Sequence, residues 1–280
     1  MAELPSESGG VSGASTAADL VRQVVVLLSA VLGTAVAFAG SGAITGTPVS
    51  EVAGGALSTT ATLVAPAGAA FAIWSVIYLG LLAFAVWQIA PARRADPRQR
   101  SVGWWVAASL ALNAVWILVI QAEWIVASVV VIAALLVVLV VVLVRLIRSR
   151  SSSVTESALL DGTTGLYLGW VCIALVANTA SALVYEGVEP LGDAATVWAV
   201  LVLAVAGAVG VVLALTSGGR LAPAVALAWG LAWVAVARTD DPESSAVAIA
   251  AGVAATVTLV SAIAVRTSRR ATGGSSTSAE

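Results

Sequence analysis

The sequence predicts an all-α integral membrane protein, a bundle of about eight transmembrane helices. Of the 280 residues, 60% are apolar and only 10% are charged, whereas a soluble domain is about half apolar and a quarter charged. The charged residues cluster between long uncharged stretches, each close to the roughly 20 residues that a helix needs to cross a bilayer core. Composition and spacing together exclude a water-soluble globule.

Eight apolar stretches are separated from one another by charges or turn-forming residues. We predict transmembrane helices at Val21–Ile44, Phe71–Ala90, Trp104–Gln121, Ile125–Val144, Gly165–Tyr185, Thr196–Thr216, Leu221–Ala237 and Ser245–Val265. The seventh is short, but Pro223 suits a first helical turn. The end segments 1–18 and 267–280 are polar and rich in small residues, which predicts disordered cytoplasmic tails.

The arginines set the orientation, because cytoplasmic loops hold the excess of basic residues in membrane proteins. With eight spans and both termini in the cytoplasm, 12 of the 13 arginines lie on the cytoplasmic side and only Arg238 lies outside. Removing any one internal span would put part of this set on the wrong side. We therefore expect a multi-pass protein of the cell membrane, with the first helix retained rather than cleaved as a signal peptide.

The residue types present exclude several kinds of chemistry. The chain has no His, no Lys and one Cys, Cys172, which rules out a disulfide, a His-based metal site, a Ser-His-Asp triad and a Lys Schiff base. No Asp, Glu or Arg lies in the interior of a predicted span, so a proton-coupled pump has little support. We expect neither an enzyme nor a nucleic-acid-binding protein, and no required cofactor or metal.

Neutral polar and aromatic residues form stripes on three of the predicted helices. Tyr167, Trp170, Ala174 and Asn178 are spaced by three, four and four residues, which places them on one face of the fifth span. Shorter stripes occur in the second span (Phe71, Trp74 and Tyr78) and in the third (Asn113 and Trp116). An unpaired amide is costly in hydrocarbon, so the asparagines should face the protein interior. Each stripe is explained either by a shared ligand pocket or by ordinary polar and aromatic packing between helices.

The fourth span is almost wholly Val, Leu, Ile and Ala, which predicts a lipid-facing wall.

These residues resemble the tryptophan-rich sensory protein family, also known as the TspO/MBR or translocator protein family. The resemblance rests on three ordered segments: Pro66 with Phe71 to Tyr78, then Asn113 to Trp116, then Tyr167 to Asn178. It covers about residues 21–185. Two features depart from the family pattern: three further spans follow, and the second helix is preceded by a single Pro where the family usually shows more.

The resemblance implies a five-helix ligand-binding bundle over residues 19–185, with a pocket closed by the loop Thr45–Ala70, followed by three additional helices over 186–266. Family members bind porphyrins and other flat hydrophobic compounds, and are described as sensors, stress regulators or transporters. Carried over by position, the residues that line or support the pocket are Trp74, Tyr78, Asn113, Trp116, Tyr167, Trp170, Ala174 and Asn178.

The leading hypothesis is a membrane receptor or sensor that holds a tetrapyrrole-like ligand between aromatic faces, with amides bonding its edges. Because there is no His and Cys172 lies off the stripe, we expect a metal-free or weakly held porphyrin rather than an axially ligated haem. The alternative is a transporter for a small hydrophobic molecule. The expected partners are the bilayer and the ligand, and the extra helices leave the oligomeric state open.

Overall fold

In the computed structural model, the described residues 15–42, 47–188 and 193–275 fold into eight long helices, with no strand in those ranges. The helices are α1 (Ala17–Gly40), α2 (Ile73–Trp87), α3 (Pro97–Gln121), α4 (Ile125–Ile147), α5 (Thr163–Tyr185), α6 (Asp193–Ser217), α7 (Leu221–Ala237) and α8 (Ser245–Ser275). A 3₁₀ turn, Gly68–Ala72, leads into α2, and a π-helical segment, Ser157–Gly162, leads into α5. The predicted all-α bundle is confirmed.

Seven of these helices, counted over the described residues, are long and apolar enough to cross a membrane. The exception is α7, which begins and ends at the predicted residues but has only 17. At 1.5 Å per residue it measures about 25 Å, somewhat less than the roughly 30 Å of a hydrocarbon core. Its two neighbours, α5 and α8, pack along it, so α7 lies against protein over much of its surface.

Several helices extend beyond the predicted apolar spans because local caps set their ends. At the start of α1, Thr16 and Asp19 form a capping box, so the helix already includes two residues assigned to the N-terminal tail. Asp96 accepts hydrogen bonds from the backbone N–H of Arg98 (2.7 Å) and Gln99 (3.1 Å), which starts α3 at Pro97 rather than at Trp104. Helix α8 continues to Ser275, into the segment predicted to be disordered from 267 onward. The remaining tail residues, 1–14 and 276–280, lie outside the described residues.

The first five helices form a closed ring in the order α1, α3, α4, α5, α2 and back to α1. Large apolar side chains fill the ring at the middle of the bundle. Ile77, Leu110 and Tyr167, one each from α2, α3 and α5, are at most 1% exposed. This arrangement brings the three striped helices of the sequence to a common interior.

The last three helices join the ring through α7, which packs along α5, while α8 packs against both α7 and α6. The α5–α7 contact depends on a glycine. A Cβ placed on Gly169 would lie 2.1 Å from Pro223 O and 2.9 Å from Leu227 N. Because both neighbours are backbone atoms, they cannot turn aside as a side chain would, and only glycine permits this separation.

Charged side chains gather at one end of the bundle, here called the basic end, where α1, α3, α5 and α7 begin. Asp19 pairs with Arg22 at 2.8 Å and with Arg100 at 2.5 Å. Arg98 pairs with Glu156 at 3.2 Å and with Asp161 at 2.7 Å, and Asp161 also pairs with Arg220. These pairs tie α1, α3, α7 and the segment before α5 together at the edge of the apolar core.

We expect Gly169→Ala to destabilise the protein, because the added methyl would force α5 and α7 apart. Overpacking of this kind costs about 1–3 kcal/mol, so the thermal unfolding temperature in detergent should fall clearly. The matched control is Gly252→Ala in α8, where an added Cβ meets nothing within 4 Å. There, the higher helix propensity of Ala predicts no loss or a small gain. Equal unfolding temperatures for the two variants would contradict the close α5–α7 contact.

Candidate ligand-binding site

A cavity of about 60 Å³ lies inside the five-helix ring, in the half nearer the loop between α1 and α2. Its walls are mostly aromatic and aliphatic, with two amides and two serine hydroxyls. The helices contribute Phe71, Trp74, Asn113, Trp116, Ile132, Leu135, Trp170, Val171, Ala174, Ala177, Asn178 and Ser181. The loop covers it with Val49, Leu57, Ser58, Ala65 and Pro66.

Six of the eight residues expected at the pocket line this cavity: Trp74, Asn113, Trp116, Trp170, Ala174 and Asn178. The other two, Tyr78 and Tyr167, lie behind its wall. Tyr167 is fully buried, and its hydroxyl donates to Ser109 O at 3.3 Å. The six stand close enough to meet one ligand, and their role as ligand contacts stays a prediction.

Tyr78 supports the wall through two contacts. Its hydroxyl accepts a hydrogen bond from Asn113 Nδ2 at 2.7 Å, which gives the buried amide a partner on the neighbouring helix. Its ring stacks on Trp74, with centroids 5.1 Å apart and an interplanar angle of 17°. Trp74 in turn meets the edge of Tyr167 at 5.6 Å. The orientation of Trp74 in the cavity is therefore set by both tyrosines.

Asn178 joins three helices within the apolar interior. Its Oδ1 accepts from Trp116 Nε1 of α3 at 2.9 Å, and its Nδ2 donates to Ser128 Oγ of α4 at 2.8 Å. Both Asn178 and Ser128 are buried. The amide faces the protein, as the cost of an unpaired polar group in hydrocarbon requires.

Trp170, in the cavity wall, has a fully buried polar atom that makes no hydrogen bond within the described part of the chain. It is 1% exposed, and its Nε1–H has no hydrogen-bond partner among the described residues. The rings of Phe71 and Trp74 pack edge to face with the Trp170 ring, at centroid distances of 5.5 and 6.2 Å. A buried donor without an acceptor is costly.

The prediction that the fourth span is only a lipid-facing wall is wrong for one of its faces. Ser128, Ile132 and Leu135 are at most 4% exposed, and the last two line the cavity. The opposite face is exposed, with Val130 at 69% and Val137 at 63%. Ser128, a polar residue in an otherwise aliphatic helix, was the signal in the sequence that could have revealed the inner face.

The loop over the cavity is held by the end of α7. Arg238 is 1% exposed and donates to Thr62 O at 3.1 Å and to Thr59 O at 2.9 Å. Burial lowers the pKa of Arg238, an effect that the nearby charge of Asp241 opposes. The one arginine predicted on the exterior side is thus a clamp on the loop.

Two tryptophans of α7 lie beside the start of α2 rather than in the cavity. The indole of Trp229 donates to Ala70 O at 2.9 Å, and the carbonyl of Trp233 accepts from Ala67 N at 3.1 Å. The two rings meet edge to face at 5.6 Å. Helix α7, the second-last helix of the chain, therefore positions the backbone that leads from the loop into the cavity wall.

The cavity wall carries no charged side chain within the described part of the chain. Nor do the described residues contain a group of three His, Cys, Asp or Glu that could hold a metal ion. Cys172 faces a separate apolar groove between α4, α5 and α6. The cavity suits a neutral, flat surface with hydrogen-bonding groups at its edge.

The fold and the cavity define a multi-pass helical membrane protein with an aromatic, loop-covered chamber in a five-helix ring. A family model described as TSPO-like protein matches residues 23–264. The chain therefore belongs to the TSPO-like family. The match continues through α6, α7 and most of α8, which the resemblance over residues 21–185 did not include. Searches of curated proteins and of solved structures found no match.

A double-mutant cycle tests the hydrogen bond between α3 and α5. Asn178→Leu leaves the Trp116 indole N–H unpaired, while Trp116→Phe removes that donor and keeps an aromatic ring. Each single change should cost about 1–3 kcal/mol of unfolding free energy. The double variant should cost less than the sum of the two, by about 1 kcal/mol, in reversible unfolding in micelles. Strict additivity would show that the two side chains do not interact.

Arg238→Gln should loosen the loop, because Gln cannot reach both carbonyls as a guanidinium does. We expect backbone amides of residues 57–67 to exchange hydrogen about tenfold faster, consistent with the loss of roughly 1.4 kcal/mol of local stability. The measurement is hydrogen–deuterium exchange followed by mass spectrometry. Arg150→Gln, an exposed change at the basic end, serves as the control. Unchanged exchange in the loop would contradict the clamp.

Proposed function

We propose that this protein is a membrane receptor or sensor that binds a flat hydrophobic ligand, of the porphyrin or wider tetrapyrrole class, in the aromatic cavity. The single observation that carries the proposal is the unpaired Nε1–H of Trp170, a residue that lines the same uncharged cavity as Asn113 and Asn178. Indole faces stack on planar apolar surfaces, and the indole donor and the amides would bond polar groups at the ligand edge. Membership of the TSPO-like family supports the same reading.

The size of the cavity adds a condition to this proposal. At about 60 Å³ it is far smaller than the roughly 300–1,000 Å³ of most small-molecule sites. A tetrapyrrole would enter only if part of the wall moved. The loop is the candidate, because it supplies Val49, Leu57 and Ala65 to the cavity and is held by a few bonds to α7. We propose that binding displaces this loop.

Binding is favoured over transport by what lies beneath the cavity. Toward the basic end, Ile77, Leu110 and Tyr167 fill the ring and are at most 1% exposed. Below them, the ion pairs of Arg98, Glu156 and Asp161 close the end of the bundle. A transported molecule would have to displace both layers, whereas a bound one need only move the loop.

The proposal includes an orientation of the protein in the membrane. The basic end carries Arg22, Arg98, Arg100 and Arg220 together with their acidic partners, and a basic excess is typical of the cytoplasmic side. We place both termini in the cytoplasm of the cell that carries the protein in its plasma membrane. The loop and Arg238 then face outward, so the ligand would enter from the exterior side.

Titration with protoporphyrin in detergent, followed by the porphyrin's own fluorescence, tests the proposal. Trp170→Phe keeps a ring but removes the donor, so affinity should fall about three- to tenfold, the effect of one hydrogen bond. Trp74→Leu should cost a similar factor through lost stacking. In ligand-free Trp170→Phe the lost donor should itself cost no unfolding stability, because the indole N–H has no partner among the described residues, and any loss should come from the smaller ring in a buried site.

Trp198→Leu is the matched control, since Trp198 is 59% exposed and lines the groove beside Cys172 instead. Unchanged protoporphyrin affinity in both cavity variants, or an equal loss in the control, would refute binding in the cavity. Uptake of porphyrin into liposomes that depends on Asn113 and Asn178 would favour the transporter over the receptor.

A further inference from the structure

We propose that an anionic phospholipid binds in a groove between α3 and α4 at the basic end of the bundle. The groove has a volume of about 580 Å³ and is separate from the aromatic cavity. Arg98, Arg145 and Arg148 line it together with two serines and three valines, and no acidic residue of the described chain does. Basic pockets between transmembrane helices are a recurrent way of binding anionic lipid headgroups.

The charges around the groove leave a positive surplus. Arg98 and Arg220 are matched by Glu156 and Asp161, so two positive and two negative charges cancel. Arg145 and Arg148 have no carboxylate partner among the described residues. Arg145 lies in the last turn of α4 and Arg148, three residues later, caps the helix, which puts both on one face. The surplus of two positive charges matches a phosphate that carries an acyl-chain anchor.

Arg145, the arginine nearer the middle of α4, is held in a position that suits such a ligand. Arg145 donates through one nitrogen to Ser101 O at 3.0 Å, and its guanidinium lies over the ring of Trp105 at 5.3 Å. Other N–H donors of the same guanidinium remain for a phosphate oxygen. Arg148 is exposed and has no side-chain partner within the described ranges, so it is free to close over a headgroup.

The apolar part of the groove distinguishes a lipid from a soluble phosphate. Val140 and Val144 lie one turn apart below the arginines and are 41% and 38% exposed. Val137, one turn further from the basic end on α4, is 63% exposed. An acyl chain lying along these valines would continue directly from a phosphate held by Arg145 and Arg148. A free phosphate would use the arginines and leave the valines bare.

Binding of phosphatidylglycerol to the full-length protein in a neutral detergent, measured by native mass spectrometry, tests this site. Arg145→Gln/Arg148→Gln should weaken binding about 30-fold, the effect of two arginines near an anionic headgroup. Arg148→Glu is the second variant, because its side chain holds no partner whose loss would unfold the protein, and it should weaken binding at least tenfold. Arg266→Gln/Arg270→Gln makes the same charge change on α8 at the same end and should leave binding within twofold.

Four results would overturn the proposal. The first is wild-type affinity in Arg148→Glu, and the second is an equal loss in the α8 control, which would indicate general attraction to a basic surface. The third is equal binding of phosphatidylcholine with the same acyl chains. Glycerol phosphate, the headgroup without chains, should fail to displace the lipid at equal concentration. Displacement at equal concentration would show that the valines contribute nothing and that the site takes a free phosphate.

Discussion

The hydrogen bonds of Asn178 are the interaction on which the interior of the five-helix ring depends. Hydrocarbon offers a polar side chain no partner, so an amide at this depth must be paired by protein. Asn178 meets that requirement with Trp116 of α3 and Ser128 of α4, and thereby fixes the spacing and rotation of three helices at once. The cavity exists beside this junction because the helices are held apart by an indole, a hydroxyl and an amide rather than closed by aliphatic packing.

Of the three C-terminal helices that the family match includes, α7 supports the cover of the cavity. Helix α7 packs against α5 through Gly169 and reaches the loop through Arg238 and Trp229. A movement of α7 along α5 would therefore be transmitted to the loop that covers the chamber. The ion pair between Arg220 and Asp161 holds the other end of α7 beside the segment before α5. The loop that covers the cavity is therefore held by α7, a helix more than a hundred residues later in the chain.

Particular residues show which parts of the site could be predicted from the sequence and which could not. The common position of Trp170, Ala174 and Asn178 could be predicted, because an α-helix repeats every 3.6 residues and residues three or four apart share one face. Tyr78 and Tyr167 share the same stripes yet lie behind the wall, since stacking and a bond to Ser109 O turn them away. The aliphatic composition of α4 concealed its inner face, because Ile and Leu suit protein and lipid surroundings equally.

The amino-acid sequence alone was enough to predict a multi-pass helical membrane protein, the helices that carry polar stripes, and the ends of five of the eight helices to within three residues. Length and hydropathy are enough for that, because each span must satisfy its own backbone in hydrocarbon. Tertiary contacts were needed to show which neighbours the stripes meet, that Arg238 clamps the loop, and that the cavity is small. Those outcomes depend on contacts between residues far apart in the chain, such as Thr62 and Arg238, for which local periodicity carries no information.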